Sequence, residues 1–205
     1  MIQKQSRSAP VMRTVLEAVA ERLVDGDESL IRIPEVCAAT GVNYGSVYHH
    51  FGSREGVIDA AYEMMYVEMV ERNIEAIRHT VESADNLDEF AAAMVPLLAN
   101  LSGGDSQRSG RTIRLRIVAA SLTRPKLHTM IARAQADLVL QLTNVVETAQ
   151  SRGWLRRDVS PRVIAVVTQV VGFGRNVDDL TDEPISEDDW QSFVTLLFGS
   201  FLARG

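Results

Sequence analysis

The chain has 205 residues, enough to bury a real core, with 46% apolar and 23% charged residues, an ordinary balance for a globular protein. A single cysteine excludes an intramolecular disulfide and a cysteine-cluster metal site. No apolar run reaches bilayer-spanning length, and MIQKQSRSAP has no apolar stretch behind its charges, so a cytoplasmic protein is expected. The net charge of -6 makes the whole chain a poor non-specific partner for nucleic acid.

Helical periodicity runs through the sequence. Val15, Leu16, Val19 and Leu23 recur at helix spacing, and Asp25-Gly26-Asp27 ends that segment. A short helix is expected over Ile33 to Thr40, ending at Gly41, and another from about Tyr44 to His50. Ser53 is placed to cap a long fourth helix reaching about Val81. Asn86 with Glu89 has the pattern of a capping box, and Pro96 should kink the helix that follows. SGGDSQRSG, Ser102 to Gly110, has the composition of a flexible loop. Helices are then expected over Arg111 to Leu122, from Pro125 to about Gly153, from a Ser160-Pro161 start, and from Ser186 through Leu202. About nine helices and no strand-period segment define an all-α fold. A boundary falls near residue 55, giving a three-helix head over 1–55 and a larger helical domain over 56–205.

Chemistry concentrates at residues 41–58, GVNYGSVYHHFGSREGVI. A helix-turn-helix needs a small residue where its helices cross, a residue tolerant of positive φ at the turn, and apolar pegs on both sides. Cys37, Gly41, and Val36, Val42 and Val47 supply these, while Asn43 can cap the second helix. Gly45 allows a DNA backbone to approach, and the Tyr48 hydroxyl can reach a phosphate. Adjacent histidines diverge by about 100 degrees around a helix, so His49 and His50 are read as one facing DNA and one facing inward rather than as a shared metal site.

The run G41-V42-N43-Y44-G45-S46-V47-Y48-H49-H50-F51, followed by G52-S53-R54-E55, resembles the DNA-binding domain of the TetR family of transcriptional regulators. The resemblance is densest over Val36 to Val57. It implies that Asn43, Tyr44, Ser46, Tyr48 and His49 face DNA, that Gly45 sits against a phosphate, and that Arg54 contacts the backbone. It also implies a homodimer formed by the last two helices, a double-stranded operator with two-fold symmetry, and a small-molecule ligand in the larger domain. Two departures stand out. Arg32 occupies a position where the family usually has a capping Ser or Thr, so the cap is either lost or replaced by an Arg–phosphate contact. Tyr44 stands where lysine or glutamine is common.

Residues 1–55 carry six Lys/Arg and seven acids, so the head is not basic overall. The DNA-facing charge is expected from Lys4, Arg7, Arg13 and the acid-free run Asn43 to Arg54. The run of six Lys/Arg over 107–126 reads either as an anionic-ligand gate or, preferably, as a face paired with neighbouring acids. Met65, Arg114, Trp154 and Phe173 are expected pocket residues on their apolar or cationic character. No G-x-S-x-G, H-E-x-x-H or phosphate loop occurs, and neither a catalytic set nor a cofactor is expected. The best-supported function is a ligand-released repressor; the rival is an all-helical dimeric enzyme or adaptor with an incidental helix-turn-helix.

Overall fold

The structure, a computed structural model, describes residues 5–103 and 105–203. Nine α-helices occur among the described residues: α1 (Gln5–Asp25), α2 (Ile33–Thr40), α3 (Tyr44–Phe51), α4 (Arg54–Ser83), α5 (Leu87–Gly103), α6 (Asp105–Ser121), α7 (Pro125–Ser151), α8 (Pro161–Asp178) and α9 (Glu187–Gly199). Contacts divide the chain into two compact units, Met1–Glu68 with Ile117–Ile131, and Met69–Arg116 with Ala132–Gly205.

In the first unit, Val15, Val19 and Leu23 form one fully buried stripe of α1, repeating every four residues as a helix face requires. They share the core with Ile33, Val36, Val47, Val57 and Ile58. The link from α1 to α2 contains a 3-10 turn, Glu28–Leu30, that periodicity could not reveal because it is three residues long. Asp27 caps it, accepting from the Ser29 N–H at 2.8 Å.

In the second unit the capping box at the start of α5 forms as expected. The Asn86 side chain accepts from the Glu89 N–H at 3.0 Å, and Glu89 in turn accepts from the Asp85 N–H at 3.1 Å. Pro96 lies inside α5, on its exposed side. Ser186 caps α9 through the Asp189 N–H. Ser160 stands at the N-cap of α8 without a side-chain hydrogen bond, so proline in the first turn makes that start. Gly153, at φ 78°, closes α7 in the left-handed region while the Trp154 N–H returns to the Ala149 carbonyl. The core here packs Phe90, Met94, Val145, Ala149, Trp154 and Phe198.

Two expectations need correction. The flexible loop over 102–110 is helix instead: α5 runs to Gly103 and α6 begins at Asp105, residue 104 lying outside the described residues. Gly103 serves packing, because a Cβ there would stand 2.1 Å from Cδ1 of Trp190. The final helix stops at Gly199, short of Leu202. Beyond it the chain pairs with the segment after α7 through a Leu155–Leu202 bridge, the Arg156 N–H donating to the Phe201 carbonyl at 2.9 Å.

Candidate nucleic-acid interface and ligand cavity

The turn between α2 and α3 is built from local chemistry. Gly41 takes φ 70°, a conformation that penalises a Cβ and that glycine enters freely. Asn43 follows in extended geometry and caps α3, its side-chain oxygen accepting from the Ser46 N–H at 3.2 Å. Val36 of α2 and Val47 of α3 are both buried at 0% exposure, and Cys37 is buried next to Val36 in sequence. Burial raises the Cys37 thiol pKa, as suits a small core residue. The far end of α3 closes on Gly52, whose N–H donates to the Tyr48 carbonyl. Ser53 then accepts from the Gly56 N–H at 3.0 Å and starts α4.

Held this way, α3 turns Asn43, Tyr44, Gly45, Ser46, His49 and His50 to the outside. Tyr44 and Tyr48, one helical turn apart, bring their ring centroids within 4.4 Å. A hydrogen bond with the Tyr44 side chain is the first cause that raises the Tyr48 phenol above its ordinary pKa, followed by burial. The inward orientation expected for one of the two histidines is not found. Both are exposed, and the His50 ring meets Phe51 edge-on at 4.6 Å. At this end of a short helix the buried side is already filled by Val47 and Phe51.

The cations behave differently from expectation. Arg54 is half-buried and turned to the protein's own backbone, donating to the Ile31 carbonyl at 3.0 Å and to the Glu28 carbonyl. It braces the 3-10 turn against the start of α4. Arg32 makes no capping hydrogen bond, so the cap is lost, and its guanidinium donates to the Ser29 carbonyl while remaining exposed. Arg13 is engaged by Glu17 at 2.9 Å and Glu68 at 2.6 Å; the Glu17 hydrogen bond leads the causes that raise its pKa. Lys4 and the side chain of Arg7 lie outside the described residues.

A feature of the first unit that the sequence did not reveal joins residues far apart in the chain. Arg124, between α6 and α7, pairs with Glu28 and, at 3.0 Å, with Asp59. Glu28 also accepts from the Tyr62 hydroxyl at 3.1 Å. Burial pushes the Arg124 guanidinium down, but hydrogen bonds and charge from Glu28 and Asp59 outweigh it and hold the group above its ordinary pKa.

The second unit contains a cavity of ≈ 90 Å³ between α4, α5, α6, α7, α8 and α9. Of the four expected pocket residues, Arg114 lines it. Phe173 does not; its ring lies under the Arg114 guanidinium, 4.2 Å from the centroid. Trp154 is a core residue, stacked on Phe90 at 5.1 Å. Met65 belongs to the first unit, half-buried on α4. The reading of the 107–126 cations as a solvated face paired with acids is met in its pairing but not in its solvation by Arg111. Arg111 is buried and grips Asp179 with two hydrogen bonds of 2.9 Å, a bidentate pair, and donates to the Gly103 carbonyl. Arg108 donates to the Asp179 carbonyl at 2.7 Å. A Cβ on Gly172 would stand 3.7 Å from the Ser102 Cβ of α5, within the same unit.

A helix-turn-helix presenting a polar face, in an all-helical chain, is the arrangement that DNA-binding transcription regulators use. Residues 31–61 match the family profile described as "Bacterial regulatory proteins, tetR family". The HTH-type transcriptional regulator UidR of Escherichia coli K12 is 19% identical over 198 residues, covering 97% of this chain and 96% of UidR. Among solved structures, a putative TetR-family regulator from Rhodococcus sp. superposes with a TM-score of 0.70 at 20% identity, over 95% of this chain and all of that one. GusR of Salmonella enterica gives 0.68 at 19%, over 94% and 95%. A putative regulator from Saccharomonospora viridis, in complex with choline, gives 0.70 at 16%, over 96% and 100%. The chain thus carries a segment that matches the TetR-family DNA-binding profile and is similar over nearly its whole length to regulators of that family. No described helix is long and apolar enough to cross a membrane.

Proposed function

We propose that the protein is a repressor that occupies a two-fold DNA operator as a homodimer and leaves it when a small molecule enters the cavity. The observation that carries the reading is the outward polar row of α3, Asn43, Tyr44, Ser46 and His49, on a frame whose backbone caps are already satisfied within the chain. Such a row can offer its remaining donors and acceptors to base edges and phosphates, although the Asn43 oxygen caps α3. Tyr44 and His49 are the base-edge or sugar contacts, Tyr48 and Ser46 meet phosphate, and Gly45 lets the backbone approach. DNA binding is assigned to residues 1–55, ligand binding and dimerisation to 56–205, and the site of action to the cytoplasm.

Dimerisation through α8 and α9 is supported by the apolar side chains these helices leave exposed. Val163, Val170 and Val177 of α8 and Phe193 and Leu196 of α9 are between 47% and 76% exposed. Ligand release is supported by the cavity, and by the choline held in the Saccharomonospora neighbour of the same fold. A ligand that binds the DNA-incompetent arrangement better shifts the population away from DNA.

The test is a gel shift with the DNA flanking the protein's own gene, at moderate salt. A specific shift that Tyr44→Ala weakens by roughly tenfold or more, with melting temperature unchanged, is expected. A well-folded dimer with no sequence-specific shift overturns the regulator reading. With Arg13 paired at the surface to Glu17 and Glu68, and Arg54 donating to the protein's own carbonyls, few phosphates are neutralised, so the salt dependence should be shallow.

A further inference from the structure

On α4, Val70, Asn73, Ile74 and Ile77 line the cavity of the second unit, spaced three and four apart as one helix face requires. All but Asn73 are apolar. Asn73 interrupts the stripe; it is half-buried, and its side-chain amide makes no hydrogen bond among the described residues. The facing wall is mainly aliphatic, with Leu98, Leu138 and Leu142. Its other polar groups are already engaged inside the protein. The Ser102 hydroxyl donates to the Leu98 carbonyl and accepts from Trp190 Nε1 at 3.0 Å. Thr168 donates to the Ile164 carbonyl, and the Gln169 amide accepts from Gln135 at 2.7 Å while donating to the Ala165 carbonyl. Arg114 is engaged as well, its guanidinium lying over the Phe173 ring at 4.2 Å and held by a further interaction within the chain. No Asp or Glu stands among the lining residues.

We propose that this cavity takes a small neutral molecule with an apolar body and a single hydroxyl or carbonyl, which pairs with the Asn73 amide. The assignment rests on the ligand-responsive reading and names its ligand class. An amide suits either group, since its NH2 donates to a carbonyl and its oxygen accepts from a hydroxyl. The rest of the molecule lies along Ile74, Leu138 and Leu142. Other classes fit less well. An ammonium finds no acid on the wall, and burying its charge unpaired is costly. A carboxylate must draw Arg114 from the partners it already has, with desolvation of both ions. A polyhydroxylated sugar leaves most of its hydroxyls unmatched against aliphatic side chains. A pure hydrocarbon buries the Asn73 amide without a hydrogen bond, a cost that one matched polar group removes. Size narrows the class further. A dry cavity of about 150 Å³ holds benzene, so ≈ 90 Å³ calls for a short chain or a single ring seated with modest side-chain movement.

The experiment titrates the full-length protein with a straight-chain probe set (hexane, hexanol, hexanone, hexanoate and hexyltrimethylammonium) and a ring set (toluene, benzyl alcohol, acetophenone, benzoate and benzyltrimethylammonium). Binding is read by calorimetry and by tryptophan fluorescence, since the Trp190 indole is bonded to Ser102 of the cavity wall. In at least one set the alcohol or ketone is expected to bind saturably, at least about tenfold tighter than either charged analogue. Asn73→Leu keeps a similar side-chain volume and removes the amide. It should lower the ratio of alcohol or ketone affinity to hydrocarbon affinity by about tenfold, the coupling of one ligand group to one side chain. Asn73→Ala should lower the same ratio if the leucine variant fails to fold. A ratio unchanged in the folded variant, a charged analogue that binds as tightly as the neutral ones, or no binding by any alcohol or ketone overturns the proposal. Running the gel shift with the same compounds separates the two readings. A charged analogue that releases DNA where the neutral probes do not sinks the neutral class and leaves ligand release standing. An alcohol or ketone that binds through Asn73 without altering DNA affinity upholds the site and sinks ligand release.

Discussion

The two units place their chemistry in opposite directions. The first turns its polar groups outward from a helix eight residues long, on a frame fixed by neighbours three or four positions away in sequence. The second turns a cation inward, among walls drawn from six helices. A surface read by DNA tolerates any arrangement that keeps a short helix rigid, whereas an enclosed site exists only when distant segments converge. Each unit contains one glycine whose missing Cβ tests this difference. A Cβ on Gly56 would stand 2.1 Å from the Phe51 carbonyl oxygen, a backbone atom that cannot move without displacing the end of α3. A Cβ on Gly103 would stand 2.1 Å from the Trp190 ring, a side chain with some room to turn. Gly56→Ala should therefore cost about 3 kcal/mol in urea unfolding and abolish the specific gel shift. Gly103→Ala should cost about 2 kcal/mol, shift Trp190 fluorescence, and leave operator binding within about twofold in the absence of ligand. If Gly103→Ala damages DNA binding as much as Gly56→Ala does, the two units are not separable in this sense.

How much of each unit was legible follows from the same contrast. The head could be read because its determinants are local. Gly41, Asn43 and Ser53 each act within a few residues of themselves, and the structure finds each in the expected turn or cap. The side-chain directions of its cations could not be read. Arg54 looks like a phosphate ligand in sequence, but the carbonyls that take its hydrogen bonds lie 23 and 26 residues upstream. In the second unit, apolar character alone selected Trp154 and Phe173. Trp154 turned out to be core, and Phe173 the platform beneath Arg114 rather than a wall. The Gly103 region read as a loop because a glycine pair usually breaks helices, and nothing nearby in sequence announces Trp190.

Arg124 sharpens the contrast at an intermediate scale, since it is a non-local contact inside the otherwise local unit. Its pair with Glu28 spans 96 residues. Arg124, Glu28 and Asp59 retain 26%, 30% and 14% side-chain exposure, so solvent screens the network. Arg124→Met should lower stability by roughly 1 kcal/mol, and the loss should shrink in about 1 M salt. A loss indifferent to salt would mean that packing of the arginine stem, not its charge, holds the segment in place.

Glu55 gives the smallest effect and the most local one. It sits in the first turn of α4, and its carboxylate is held below the ordinary range. A hydrogen bond from its own backbone N–H is the leading cause; burial opposes it, while Ser53 and Arg54 add to it. A carboxylate lowered in the folded state contributes stability that is present above its unfolded pKa and lost as pH falls through the folded one. The contribution is therefore constant near neutral pH and is lost on acidification, as the pH falls below the unfolded value and through the lower folded one. Glu55→Gln removes the titrating group, so the melting-temperature difference between the two proteins should be flat near neutrality and close toward zero on acidification. A difference that persists unchanged at about pH 3 would show that glutamine disturbs the helix start itself. The head would then depend on the shape of that first turn rather than on its charge.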